Sequence, residues 1–240
     1  HLGNAVERSV YKIYCAGPLF NPKEREEMGQ IASTLERAGY SVFLPQRDGL
    51  EFAELFPWFL KKGISAQEAQ KILNMAIFSL DVFQVTDSEG LVLNMNGRVP
   101  DEGAMVEAGI AWAHNKVVVI FRSDSRSLIE GSCNPLVLGL SDFSCIDNYD
   151  GIPGAFETKF AIMAERALLA HDHGFEAATK SGKEISTYLA SQRSQGDIAK
   201  ILIGLFKERI CQASEDQKGN CSQANTQPYA LTATRCQRTQ

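Results

Sequence analysis

The sequence predicts an α/β protein with a parallel sheet and helices on both faces. Two observations predict it. Short β-branched and aromatic runs alternate with stretches of helical periodicity from residue 10 to about residue 170. Each early run also closes on a turn signal: Gly17-Pro18, Pro45 and Asn96-Gly97. Strands that alternate with helices form right-handed crossovers, and the crossover helices cover both sides of the sheet.

The elements follow in order. Val10 to Ala16 (VYKIYCA) reads as the first strand. From Pro22 to Gly39, Met28, Ile31, Ala32 and Leu35 fall at helical spacing, and Gly39 stops the helix. Tyr40 to Leu44 is the second strand, and Gln46-Arg47-Asp48-Gly49 is a polar loop. Residues 50–64 carry Phe52, Leu55, Phe56, Trp58, Phe59 and Leu60, too apolar for a free loop, and read as a short helix or lid. Ser65 and Glu68 form a capping box for a helix that runs to about Val85. Leu91 to Met95 is the third strand, Glu102 to His114 a helix, and Lys116 to Phe121 the fourth strand. A short helix from Cys133 to Leu140, a fifth strand from Ser144 to Tyr149 and a helix from Gly154 to Leu169 close the series.

Five strands favour a flavodoxin-like, doubly wound sheet in the order 2-1-3-4-5, and such folds bind ligands beyond the carboxyl ends of the strands. Residues 14–20, 45–49, 96–107 and 122–134 lie there. Three regions result: a catalytic domain over 8–171, a helical extension over 172–212 and a tail over 213–240. In the extension Asp197 caps a helix with Ile198, Ile201, Leu202, Leu205 and Phe206 on one stripe. The tail is rich in Ser, Gln, Asn and Thr and reads as disordered.

Composition excludes several classes of function. In 240 residues, 24 Lys and Arg stand against 29 Asp and Glu, a net charge of −5, without the basic surface of a nucleic-acid binder. No apolar run approaches the roughly 18 residues of a membrane span, and no N-terminal signal pattern is present. The chain opens at His1-Leu2 without Met, as a piece of a longer protein or an artificial start would. The six cysteines make no C-x-x-C, and no His stands at zinc-finger spacing from them, so neither a metal nor a disulfide framework is expected. His171 and His173 read as solvated loop residues. The compartment expected is the cytoplasm.

Three acids stand where acids are costly. Glu107 has Gly103, Ala104, Ile110 and Ala111 three and four residues away on its helix, with no Lys or Arg within a turn. A carboxylate on an apolar face is costly to bury charged, and its pKa rises; the plain alternative is a surface Glu on a half-exposed helix. Asp101 opens the same helix after Pro100, as a cap alone or as a cap that also meets a ligand. Gly103 would let a ligand approach the backbone closely. Asp81 has Ile77, Phe78, Gln84 and Val85 around it, again without a cation. A Ser-His-Asp triad finds no G-x-S-x-G, and His114 is its only candidate core histidine. Ala16-Gly17-Pro18-Leu19-Phe20 is not a dinucleotide fingerprint. The remaining pattern is a nucleophilic carboxylate with supporting acids, the logic of retaining glycosyl transfer.

Three segments in order, each after a predicted strand, resemble the nucleoside 2-deoxyribosyltransferases: Ile13-Tyr14-Cys15-Ala16-Gly17-Pro18-Leu19-Phe20, Phe43-Leu44-Pro45-Gln46-Arg47-Asp48, and Asn96-Gly97-Arg98-Val99-Pro100-Asp101-Glu102-Gly103-Ala104-Met105-Val106-Glu107-Ala108-Gly109. The D-x-G-x-x-x-E-x-G spacing of the third is the specific part. The resemblance covers residues 10 to about 170 and implies transfer of 2-deoxyribose between nucleobases through a covalent sugar on Glu107, without a cofactor. It implies that Tyr14 orients Glu107, and that Asp81 and Asp101 between them hold the sugar and protonate the departing base. It further implies that Gln46 contacts the base, and that Asn134 reaches the sugar from a neighbouring subunit of a homo-oligomer. Gly17, Pro18, Phe20, Asp48 and Gly103 complete the expected substrate-binding set, and deoxyribonucleosides and free bases are the expected partners. Two other functions stay open: hydrolysis of a 2′-deoxynucleoside 5′-monophosphate on the same scaffold, and non-catalytic nucleoside sensing.

Overall fold

A computed structural model describes residues 11–97, 100–123, 134–168, 174–191 and 194–218. The chain divides into two compact units, residues 1–177 and 178–240. In the first unit, strands β1 (Lys12–Ala16), β2 (Ser41–Phe43), β3 (Gly90–Asn94) and β4 (Val117–Phe121) form a four-stranded sheet in the order β2-β1-β3-β4. All pairings are parallel, with Tyr14 opposite Phe43 and Leu91, and Leu91 opposite Val118. Every residue of β3 and β4 is buried, as expected of strands covered on both faces.

The helices are α1 (Pro22–Arg37), α2 (Pro45–Asp48), α3 (Phe52–Lys61), α4 (Ala66–Asp87), α5 (Glu102–Ala113), α6 (Pro135–Leu138), α7 (Gly151–Leu168), α8 (Gly174–Ala190) and α9 (Gln195–Lys218). Strand alternation sorts the core. Ile13, Cys15, Val92, Val119 and Phe121 face one side and pack with Met28, Ile31 and Leu35 of α1 and Ile152 and Phe156 of α7. Tyr14, Ala16, Leu91, Leu93, Val118 and Ile120 face the other, against Val85 of α4 and Ala104, Ala108 and Ala111 of α5.

Caps fix the helices where the sequence places them. Asn21 and Glu24 form a capping box at α1, Ser65 and Glu68 another at α4. Gly39 leaves α1 with φ +91°, a conformation that favours glycine.

Five expectations are corrected. The fifth strand is absent: only Ile146 bridges to Phe121, through Ile146 N–H to the Ile120 carbonyl and Arg122 N–H to the Ile146 carbonyl, each 2.8 Å. The segment is polar beyond Ile146, and Asn148 Oδ1 accepts from Gly151 N to turn the chain into α7. Residues 45–48 are not a loop but the turn α2, because Pro45 pre-sets a helical φ and Asp48 Oδ2 accepts from Leu44 N at 2.8 Å. In α9 the cap is Ser194, whose Oγ accepts from Asp197 N, and the helix continues through residues 213–218 of the expected tail. His114 is not a core residue; it is exposed at the carboxyl end of α5. Residues 98–99, 124–133 and 219–240, with His171 and His173, lie outside the described residues. Among those described, no helix is long and apolar enough to cross a membrane.

Candidate active site

The site is built on the α4–α5 face of the sheet. Tyr14 is the third residue of β1, its ring fully buried and stacked on Phe43 with centroids 5.5 Å apart. On α5, Glu107 shares a stripe with Ala104, Ala108 and Ala111, all three buried. These small side chains let the helix lie close to the sheet, and the one long side chain among them reaches Tyr14. The Tyr14 hydroxyl donates to Glu107 Oε1 at 2.7 Å, across 93 residues of sequence. Asp81, on α4, lies close enough to the same tyrosine for each to act on the other's charge. Asp101 caps α5, its Oδ2 accepting from Ala104 N at 3.0 Å.

The electrostatics follow from this packing. Burial pushes Glu107 up to about 8; the Tyr14 hydrogen bond works against the rise, and the charges of Asp81 and Asp101 add to it. Burial also raises Asp81, again opposed by Tyr14. Tyr14 itself is held above its ordinary range by burial and then by the facing Glu107 carboxylate, so it stays a proton donor. The Glu107 carboxyl, buried against a neutral hydroxyl, therefore keeps its proton to a higher pH than a glutamic acid in water.

The other expected site residues are placed as follows. Pro18 is buried beneath the turn after β1, and Phe20 is exposed at its end. Gly17 lies against Met28 and Asn94, where a Cβ would fall 2.5 Å from Met28 Sδ and 2.8 Å from Asn94 Cβ. Gly103 is open on its helix, its nearest neighbour being Asp101 Oδ2. Gln46 does not join the Tyr14 cluster: its Nε2 donates to the Arg25 carbonyl of α1 at 2.9 Å, and its Oε1 is buried without a hydrogen-bond partner. Asp48 is engaged by Arg47 and by the Leu44 amide. Asn134 is exposed and caps α6 through Leu136 N. Among the described residues no three His, Cys, Asp or Glu side chains are grouped to hold a metal ion.

Further side chains in this part of the sheet were not legible in the sequence as parts of the site. Phe43 is the stacking partner of Tyr14. Asn94 and Asn96 are buried at the end of β3, where Asn96 accepts from Ser123 N at 2.8 Å and donates to Ser123 Oγ at 3.0 Å. A buried Asn closing an otherwise apolar strand was the available signal.

The fold and the site together define a doubly wound α/β protein with carboxylates converging on a tyrosine at the carboxyl edge of the sheet. The family model described as nucleoside 2-deoxyribosyltransferase matches residues 13–174, and the chain belongs to that family, whose members are enzymes. Similar solved structures include a conserved protein from Enterococcus faecalis V583, at 21% identity and TM-score 0.47, covering 62% of this chain and 98% of that one. A 2-deoxyribosyltransferase from Bacillus psychrosaccharolyticus is 18% identical with TM-score 0.43, covering 59% and 90%. A CMP N-glycosidase from Clostridium botulinum is 14% identical with TM-score 0.36, covering 61% and 98%. No curated protein matches the chain.

Proposed function

We propose that the protein transfers 2-deoxyribose from one nucleobase to another with retention of configuration, and that Glu107 is the nucleophile. The observation that carries this reading is the Tyr14–Glu107 hydrogen bond, which holds a carboxyl among the buried alanines of α5. Glu107 Oε attacks C1′ as the N-glycosidic bond breaks, and the bonding pair leaves with the base. A proton from a neighbouring carboxylic acid neutralises that base; burial pushes Asp81 up, which suits it to donate. Positive charge builds on the sugar ring, and the carboxylates around it stabilise that charge. A second base then attacks C1′ as the C1′–Oε bond breaks, its N–H proton passes to the carboxylate that gave up the first, and Glu107 is released as a carboxylate. Asp101 and a neighbouring copy's Asn134 hold the sugar in this scheme, and deoxyribonucleosides and free bases are the substrates. A water molecule in place of the second base would make the reaction a hydrolysis.

Hydrolysis of a nucleoside 5′-monophosphate would use the same carboxylates and also need a phosphate cradle. The head of α1 is where this fold offers one. Here the Glu24 carboxylate already accepts from Phe20 N at 2.8 Å and Asn21 N at 3.2 Å. A phosphate would meet a carboxylate in place of free amides, which favours the unphosphorylated substrate.

The test is a base-exchange panel with thymidine and deoxyinosine as donors and adenine and cytosine as acceptors. The wild type yields the crossed nucleosides and Glu107→Gln does not. The stalled reaction, digested and weighed, carries the sugar on the peptide containing Glu107. Free deoxyribose without any crossed nucleoside, or the added mass on another peptide, would overturn the reading.

A further inference from the structure

A second tie between β1 and α4 lies one step from the Tyr14 cluster. Lys12 and Tyr14 are two residues apart on β1 and project to the same face, while Asp81 and Gln84 are three apart on α4. Lys12 Nζ donates to Gln84 Oε1 and, at 2.8 Å, to Asp87 Oδ2. It also lies 5.9 Å from the centroid of Phe43, the ring stacked on Tyr14. Lys12 therefore joins the strand that carries Tyr14 to the helix that carries Asp81, one turn beyond that acid.

The cation answers a need of α4. That 22-residue helix has no basic residue in its last turn and ends on Asp87, an acid at the negative end of the helix dipole. Lys12 supplies the missing positive charge from β1, and it lowers the Asp87 carboxyl below its ordinary range. α4 also packs on α3, which has no fully buried residue. The Lys12 rung is thus a polar tie that adds to the packing of Val85 in holding this end of α4 on the strand.

We propose that Lys12 is a positioning residue of the site: by tying the end of α4 to the start of β1, it sets Asp81 against the hydroxyl that Tyr14 shares with Glu107. This rests on the transferase reading for its kinetic consequence and on geometry alone for its structural one. Glu107 is faced by Tyr14 from β1, Asp81 from α4 and Asp101 at the head of α5. Losing the Lys12 cation by itself would raise the Glu107 titration midpoint. Losing the placement of Asp81 removes a facing negative charge and lowers it. The sign separates a positioning role from a simple charge effect.

The experiment compares wild type, Lys12→Met, Lys12→Arg and Gln84→Leu, with each lysine change repeated on Asp81→Asn. Carboxyl carbon NMR follows the Glu107 midpoint, and base exchange gives kcat and KM. Lys12→Met is expected to lower the midpoint and to cut kcat by about tenfold, the scale on which small misplacements act. Lys12→Arg restores both, and on Asp81→Asn the lysine change has no further effect. Gln84→Leu, which keeps the Lys12–Asp87 pair, shifts the midpoint the same way by less. A midpoint that stays or rises in Lys12→Met, or a full additional loss of kcat on Asp81→Asn, overturns the positioning role. A wild type without exchange whose midpoint still falls in Lys12→Met overturns the transferase reading and leaves the positioning standing.

Discussion

Asp101 and Glu107 are bound to one helix in two different ways: the first caps α5 through Ala104 N, and its charge helps to raise the second. Cap and chemistry can therefore be separated. Asparagine caps as well as aspartate, whereas alanine costs about 1 kcal/mol at such a position. Asp101→Asn is expected to unfold in urea like the wild type and Asp101→Ala at lower denaturant, while base exchange falls at least about tenfold in both, as loss of a positioned proton-transfer or sugar-holding group would cause. Wild-type exchange in Asp101→Asn would reduce Asp101 to a cap.

Protonation of Glu107 sets a pH dependence with a definite sign. The carboxylate is the attacking form, so kcat/KM of the free enzyme rises with pH as Glu107 ionises, with a midpoint of about 8, and falls again where the donor of the base's proton is itself ionised. The Tyr14 hydrogen bond favours the charged form, so Tyr14→Phe moves the rise to higher pH as well as slowing the reaction. Stability runs the other way. The folded protein holds the Glu107 proton up to about 8, and an unfolded glutamic acid releases it near its ordinary value of 4.5. The folded state therefore binds more protons in that window, and the contribution is lost as pH rises through it. Glu107→Gln should raise the melting temperature relative to wild type more at pH 9 than at pH 5. A rise equal at both pH values, or a wild-type rate profile flat from pH 6 to 9, would sink this assignment.

The four strands of the sheet were legible because their alternation with helices is a strong, local pattern, and β3 and β4 are continuous apolar runs. The fifth was not legible, since the few apolar residues in Ser144 to Tyr149 run at once into the polar turn closed by Asn148 and Gly151. Glu107 was legible from its own helix, where nothing nearby could neutralise it. Its hydrogen bond to Tyr14 was not, because the two are 93 residues apart and only the crossover brings them together. Gln46 shows the opposite limit. Pro45 starts a helical turn where a loop was expected, and the Gln46 side chain is directed at the α1 backbone. Family membership ties the segments together, but the direction of one side chain depends on a local turn.

The apolar segment after α2 is a helix, α3, with Phe52 stacked on Phe56 and Trp58 61% exposed beneath the Lys61 ammonium. If it excludes water from the sugar-bound intermediate, trimming it changes the fate of the sugar more than the rate of its capture. Phe56→Ala and Trp58→Ala should each raise the ratio of free deoxyribose to crossed nucleoside. Removal of the exposed Trp58 should change stability by no more than about 0.5 kcal/mol. An unchanged product ratio in both variants would count against the lid.

Gly17 ends the strand that carries Tyr14, and it has no room for a side chain. A Cβ there would lie 2.5 Å from Met28 Sδ and 2.8 Å from Asn94 Cβ. The thioether belongs to a flexible side chain and can move, but the Asn94 Cβ is fixed to β3 and cannot follow. Gly17→Ala must therefore push the turn outward, at a cost of about 1–3 kcal/mol typical of overpacking. The turn is continuous with Tyr14 three residues earlier, so the same shift loosens the hold on Glu107. The expected result is a lower urea midpoint with an unchanged slope, together with a fall in kcat. Pairing Gly17→Ala with Met28→Ala relieves the softer contact and should recover only part of the stability. Full recovery would show that the thioether, and not the backbone of β3, sets the limit at this turn.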